Sequence, residues 1–494
     1  MRSVNSVQLN RFSAGGIAFA LCTLVILSTT GFHSAATSTA SRRTVTLPKG
    51  VGAVVSIGKP TIPAPANYIG VSMELSGLCQ FMAMDAEYQT EFENLLRNLG
   101  PLVLKVGGKS SDYSTWSSSP TASPVCAGRK PVATQTEVNS FFNFATRTGV
   151  QVIWGLPLVT FNTKLDAREA AYVAEVGHAN LLAFTIGNEP DLYTASGIRP
   201  AKWTFAQYWS QWSAVRNAVV KAVPTVPVVG PEQCCNGTFF KNFALKARGA
   251  VGALSYHIYA GSRTSLTASY LMSPPALGKE TSREAGYWRT DAKGPKVPLW
   301  ITEANTFPEG GVAGVSNAYV SALWLADFLF ASATFNTSQV DVQQAGESAV
   351  YNPFTPTGWV RPIFYGMLLY HSIVPAGSSL LATSVTQSAS TNVTAYANRS
   401  PSGGLDVILF NKGVSAKTVD LTVDKAYASA GYYRLQAPSL ASTAGITLGG
   451  HALSPQGLLA PPTLSPLKAT KLKAALKLPA GSATCIVLTP VAGQ

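Results

Sequence analysis

The stretch "LLAFTIGNEPDLY" (Leu181–Tyr193) opens as a continuous apolar run and closes on Asn188-Glu189-Pro190. A short apolar run bounded by glycine and proline suits a strand buried on both faces. A carboxylate at the end of such a strand costs free energy unless it is paired or used. In a purely structural role, Glu189 caps a helix or forms half of an ion pair. In a chemical role, it needs a second carboxylate on the same face of the fold.

The same texture recurs in both directions. "YIGVSMEL", "LVLKVGG", "QVIWGLPL", "VPVVGPE", "ALSYHIY", "PLWITEAN" and "VDVQQAGES" alternate with amphipathic stretches such as "AEYQTEFENLLRNLG", which ends on glycine. Parallel strands covered by helices read in this way, and eight such pairs over residues 67–374 predict an α/β chain built on a (β/α)8 TIM barrel. Residues 375–494 change character: "NVTAYANRS", "LDVILFNKG", "KTVDLTV" and "ATCIVLTP" alternate between turn residues and predict a C-terminal antiparallel β-sandwich. Residues 41–66 include the strand-like "TVTLPKGVGAVVSIG" and are expected to pack on that sandwich.

Residues 1–40 read as a signal peptide. Arg2 and Arg11 precede "GGIAFALCTLVIL", and small residues follow in "SAATSTA". The apolar run is shorter than the ~20 residues of a spanning helix. Cleavage and secretion are therefore expected, with a signal anchor as the alternative and no stable membrane association after cleavage. The charged fraction of 12% is about half the usual share, which suits an extracellular surface. Sequons at Asn236, Asn336, Asn392 and Asn398 are candidate glycosylation sites.

Cys22 leaves with the leader, and Cys79, Cys126, Cys234, Cys235 and Cys485 remain. An odd number leaves one thiol unpaired or paired between chains, and the adjacent Cys234 and Cys235 are expected to find separate partners. No Cys/His spacing suits zinc, so neither metal nor cofactor is expected. The net charge of +13 falls to about +11 without Arg2 and Arg11. Its scattered distribution, with one small cluster in "SPLKATKLKAALK", lacks the basic stripe of a nucleic-acid binder. An acidic polysaccharide is the better-matched polyanion, with mere solubility as the alternative reading of the charge.

Barrel sites form at the C-terminal ends of the strands. Glu189 ends the fourth strand, and the seventh, "PLWITEAN", carries Glu303 at the same end. Two carboxylates flanking a scissile bond are the minimal equipment for glycoside hydrolysis. Asn188 is placed to bond a sugar 2-hydroxyl. On the sixth strand, Tyr259 is placed to donate to Glu303, and His257 is either a site residue or a satisfied core histidine. No GxSxG elbow supports a serine nucleophile.

These motifs resemble glycoside hydrolase family 79, the β-glucuronidase and heparanase family within the retaining barrel glycosidases. The resemblance is carried by "YIGVSMELSGL", "LVLKVGGKSSDYSTW", "FTIGNEPDLY", "LSYHIY", "LWITEANT" and "YNPFTPTGWVRPIFYGMLLY", in that order over nearly the whole mature chain. It implies Glu189 as acid/base and Glu303 as nucleophile. It also implies that Glu74 and Asp112 hold sugar hydroxyls and that Tyr351 lies near the sugar's carboxylate. Two departures stand out. Lys105 replaces the family's usual arginine. Pro308 occupies the position of a uronate-binding tyrosine, with Glu309 before Gly310 and Gly311, leaving the two glycine amides and Tyr351 to supply the donors. The expected substrate is thus a carbohydrate, either a glucuronide or, as the alternative, a neutral β-sugar. A non-catalytic glycan-binding protein on the same scaffold is the third alternative.

Overall fold

In the computed structural model, the described residues run from 47 to 491, without 80–85, 124–129, 263, 275–276, 279–282, 284–285, 288–295, 336, 347, 355–359, 424 and 471–472. The chain divides into Met1–Thr46 and Leu47–Gln494. The expected leader lies in the first unit, outside the described residues. No helix among the described residues is long and apolar enough to cross a membrane.

The eight apolar runs form a closed parallel barrel of Ile69–Glu74, Val103–Gly107, Gln151–Leu156, Leu181–Ile186, Val228–Gln233, Leu254–Tyr259, Leu299–Asn305 and Thr337–Gln344. Each pairs with the next, and the eighth closes on the first through Val340–Gln344 beside Ile69–Met73. Because side chains alternate along a strand, the interior fills in layers. The lower layer is apolar, with Val103, Ile153, Ala183, Val229 and Ala253. Above it, one step along the strands, lie Ser72, Lys105, His257 and Asp341, all buried. A polar layer at that height, inside a barrel otherwise closed to water, marks the functional end.

The chain continues into an eleven-stranded sheet that wraps into the β-sandwich. Ala53–Pro63 lies within it, antiparallel to Ser379–Gln387 and parallel to Lys417–Thr422. The sandwich covers the barrel helices Tyr319–Ala333 and Ile363–Ile373, which are apolar almost throughout and buried along nearly their whole length. Asp327 in the first of these helices accepts from Lys412 Nζ (2.6 Å), Thr394 Oγ1 (2.7 Å) and Tyr396 OH (2.8 Å). A carboxylate so enclosed is tolerable because its partners replace the lost water.

Two expectations about side chains change. Cys234 and Cys235 form a disulfide with each other, and Cys79 is also disulfide-bonded. The turn after the fifth strand folds around Asp191, which accepts from the backbone N–H of Cys234 (3.0 Å), Cys235 (2.9 Å) and Asn236 (3.0 Å), so the two adjacent thiols are held in one tight turn. Cys126 lies outside the described residues. Cys485 is a free thiol, buried and therefore out of reach of another chain. Asn398 is 1% exposed and donates to the Ile373 carbonyl, which leaves no room for a glycan on the folded chain. Asn392 is half-buried and donates to the Met272 carbonyl, while Asn236 caps a helix at the surface. Asn336 lies outside the described residues.

Beneath the barrel wall, Glu169 accepts from Trp154 Nε1 at 2.9 Å, and its other oxygen has no hydrogen-bond partner among the described residues. Burial pushes its pKa up to about 8; the Trp154 bond opposes this and the Asp166 charge adds to it. A carboxyl raised in the fold loses stability as pH climbs from its unfolded value to its folded one. Glu169→Gln is thus expected to melt like the parent at pH 4 and to be more stable by roughly 2–4 kcal/mol at pH 8. Thermal denaturation at the two pH values checks this, and a gain confined to pH 4 would contradict it.

Candidate active site

The Asn-Glu-Pro turn places its carboxylate through local geometry. Gly187 (φ 77°) and Glu189 (φ 48°) are both left-handed, and Pro190 starts a single 3-10 turn, Pro190–Leu192. A non-glycine residue in that region costs about 1 kcal/mol. Hydrogen bonds hold it there: Glu189 N–H donates to the Glu232 carbonyl (2.8 Å), and Leu192 N–H donates to the Glu189 carbonyl (2.9 Å).

Asp112 secures the same turn from below. Its oxygens accept from the amides of Leu158 (2.8 Å), Val159 (3.0 Å) and Asn188 (3.2 Å) and from the Tyr193 hydroxyl. The side chain is 1% exposed and does not line the cavity. The expectation that Asp112 holds sugar hydroxyls is therefore corrected: its acceptor capacity is spent on fixing the loops that carry Asn188 and Glu189. Burial raises its pKa to about 6, against the opposing Tyr193 and backbone hydrogen bonds.

A cavity of about 300 Å3 opens at the C-terminal end of the barrel, lined by Glu74, Lys109, Asn188, Glu189, Tyr259, Glu303, Glu309, Gly310, Gln343 and Tyr351, among others. One carboxylate oxygen of Glu189, one of Glu303 and a ring nitrogen of His257 all lie within 4.8 Å of one another. Tyr259 OH donates to Glu303 Oε1, and the Tyr259 and Tyr351 rings lie 6.3 Å apart. Glu74 accepts from Ser110 N–H (2.8 Å) and Ser110 Oγ (2.5 Å), which fixes its carboxylate at the rim. Burial pushes the Glu303 pKa up; His257 opposes the rise, and the Glu189 charge reinforces it.

The loop after Glu303 differs from expectation at one glycine. Gly310 lines the cavity, but Gly311 N–H donates to the Pro308 carbonyl at 3.3 Å within its own turn. Its amide is therefore not available to a sugar carboxylate. Gly311 also stands at φ 85°, where an added Cβ would sit 2.7 Å from Ser316 Oγ, so the turn itself requires the glycine.

Two side chains at the site escaped the sequence reading. Glu232 ends the fifth strand, fully buried at φ 58°, and pairs with Lys105, also 1% exposed. Thr302 Oγ1 donates to its other oxygen at 2.8 Å. Burial alone would raise the Glu232 pKa, but the Lys105 ammonium and His257 hold it well below the usual carboxylate range. A third strand-end glutamate was visible in "VPVVGPE", yet its pairing with Lys105 was not. Gln343 on the eighth strand is the other: it lines the cavity, and its Oε1 is buried without a partner among the described residues, as is Asn188 Oδ1. Two unpartnered acceptors on residues that line one cavity are suited to ligand hydroxyls.

The closed (β/α)8 barrel thus carries two glutamates at the C-terminal ends of its fourth and seventh strands, the end at which barrel active sites form. No family model matches the chain. A β-glucuronidase of Neurospora crassa is 27% identical over 327 residues, 57% of this chain and 57% of that protein. The chain thus spans a little over half the length of this relative. A β-glucuronidase of Aspergillus niger is 24% identical over 379 residues, 68% of this chain and 70% of that one. Among solved structures, a 4-O-α-L-rhamnosyl-β-D-glucuronidase from Fusarium oxysporum in complex with Rha-GlcA superposes with a TM-score of 0.74. It shares 18% identity over 88% of this chain and the whole of that one, a likeness in fold. The resemblance to family 79 read from the motifs is borne out by these relatives.

Lys105 and Glu232 stabilise each other in a place neither tolerates alone. Lys105→Met strands an anion in the barrel, and a loss of about 3–5 kcal/mol is expected in chemical denaturation. Lys105→Met/Glu232→Leu removes both charges and should regain part of that loss. A double variant no more stable than the single one would contradict the pairing.

Proposed function

We propose that this protein is a secreted retaining β-glycosidase that hydrolyses β-glucuronides by double displacement, with Glu303 as nucleophile and Glu189 as acid/base. One observation carries the reading: the two glutamates approach within 4.8 Å across the cavity, with Tyr259 hydrogen-bonded to Glu303. Retaining sites keep their carboxyl groups about 5–5.5 Å apart, whereas inverting sites need about 6.5–9.5 Å for a water. Glu189 protonates the leaving oxygen as Glu303 attacks the anomeric carbon. Glu189 then takes a proton from the water that releases the sugar. Asn188 Oδ1 and Gln343 Oε1 accept from sugar hydroxyls, and Glu74 holds another at the rim. Secretion is supported by the basic, apolar and small-residue succession at the N-terminus and by the sparse surface charge.

The sugar is where the lining matters. Glu309 lines the cavity where a uronate donor was expected, and Pro308 brings neither hydroxyl nor N–H. These features favour a second reading, a neutral β-sugar on the same machinery. Against it stands Lys109, the one cationic side chain in the lining among the described residues. Together with Gly310 N–H and Tyr351, it supplies the attraction that a uronate carboxylate needs.

Matched aryl β-glucuronide and β-glucoside separate the readings through kcat/KM. Glucuronide is expected to be the better substrate with some glucoside turnover. A tenfold preference for glucoside would overturn the uronate assignment, and inertness toward a full panel of aryl glycosides would overturn the enzyme assignment. NMR of the first-formed product should show retained configuration. Glu303→Gln should abolish nearly all turnover. Glu189→Ala should retain far more activity on substrates with good leaving groups than on those with poor ones, because the former need little protonation. Equal losses across both substrate types would show that the roles are wrongly assigned.

A further inference from the structure

His257 is fully enclosed, and both of its ring nitrogens face carboxylates. Nε2 lies 3.4 Å from Glu232 Oε2; Nδ1 lies 3.0 Å from Glu189 Oε1 and 3.6 Å from Glu303 Oε2. An ionised carboxylate only accepts hydrogen bonds, and a neutral imidazole has one N–H to donate. Nε2–H is committed to Glu232, and the Glu189–Glu303 pair opposite carries one negative charge, so only the imidazolium offers that anion a second donor.

We infer that the buried Lys105–Glu232 pair holds His257 as a standing imidazolium whose single Nδ1–H serves both catalytic carboxylates in turn. The anchoring edge is rigid. Glu232 is fixed by Lys105, by Thr302 Oγ1 (2.8 Å) and by its own N–H to Ser255 Oγ (3.0 Å), so it cannot turn away from Nε2. The working edge sits between the two glutamates. In a double displacement the pair carries one negative charge at each resting stage. Before attack the mechanism requires Glu303 as the anion and the proton on Glu189. In the glycosyl-enzyme Glu303 is an ester and Glu189 is the anion. A fixed cation within 3.6 Å of both offsets the charge wherever it resides, without moving and without exchanging its own proton. Lys105, Glu232 and His257 are thus positioning residues that act through Glu189 and Glu303.

The other charged groups around the ring fit this assignment. Lys105 from the second strand repels the imidazolium, but Glu189, Glu232 and Glu303 from the fourth, fifth and seventh strands outnumber it. Tyr259 on the same strand bonds Glu303 rather than the ring. Asp341 from the eighth strand is occupied by Gln339 Nε2, at 2.9 Å to each oxygen, and burial raises its pKa to about 7. Burial would lower the His257 pKa, yet the Glu303 charge and the bonds to Glu189 and Glu232 push it up to about 10 against the Lys105 repulsion. A raised histidine pKa leaves the charged form in place through neutral pH and loses it only as pH rises through the raised value.

The role in turnover rests on the glycosidase reading; the charge state does not, and it can be read without substrate. In protein carrying 15N-labelled histidine, the His257 signals are identified by their absence from His257→Gln. Both ring nitrogens are expected to keep the protonated chemical shift at pH 8, where ordinary histidines have lost theirs. In Glu232→Gln the midpoint should fall by about two pH units, the size of one close charge partner. A neutral His257 at pH 7 in the parent, or an unmoved midpoint in Glu232→Gln, overturns the inference. If Glu232→Gln fails to fold, the parent spectrum alone decides, and Lys105→Arg, which keeps the cation, should leave His257 charged. A charged His257 in a protein inert toward glycosides would remove the proposed function and leave this assignment standing. A working glycosidase with a neutral His257 would do the reverse.

Discussion

The ion pair between Lys105 and Glu232 is the constraint around which the functional end of the barrel is arranged. Moving two such charges out of water costs several kcal/mol each, and only close pairing with further hydrogen bonds offsets it. The structure supplies that setting through Thr302, Ser255 and His257. Each of these is fixed in turn by its place on a barrel strand, so the polar layer is a connected network rather than a set of isolated groups. Gly107 belongs to the same arrangement: a Cβ there would stand 2.9 Å from Lys105 Cε. Gly70 likewise leaves room for Asp341, whose Oδ1 would lie 1.7 Å from an added Cβ. Small residues on the strands make space for charge inside the barrel.

This network reaches the cavity by a short route. Glu232 positions His257 through Nε2, and its backbone carbonyl accepts from Glu189 N–H. The fifth strand therefore orients Glu189 twice, once through the main chain and once through the imidazole. From the other side, Asp112 holds the Asn188 amide and the loop after the third strand. Glu189 in its left-handed conformation is thus clamped by two buried carboxylates that line no part of the cavity. The pattern accords with strained backbone persisting where its surroundings over-determine it.

The helices Tyr319–Ala333 and Ile363–Ile373 show how the second domain serves the first. A barrel helix normally leaves one face to water, yet these two are apolar around nearly their whole circumference. The sandwich covers them, with Phe330 against Tyr396 and Phe410 and with Asp327 bonded to Lys412. The strands leading to Glu303 and Gln343 are therefore backed by protein on both sides.

Much of this was legible in the residues. Short apolar runs bounded by glycine or proline suit strands buried on both faces, and eight of them alternating with amphipathic helices leave few alternatives to a closed parallel barrel. Glu189 and Glu303 were legible for the same reason, since a carboxylate at the end of a buried strand must be used or paired. Asp112, Gly311, Glu232 and the Cys234–Cys235 disulfide were not. Whether Asp112 faces a sugar or the backbone of a neighbouring loop depends on which amides surround it, and those come from residues 46 to 76 positions away. Glu232 meets Lys105 across 127 residues, a distance over which no local pattern carries information. Hydrophobic periodicity is a property of neighbours along the chain and so is written in the sequence. The partner of a buried charge is a property of neighbours in space, and only closure of the barrel decided it.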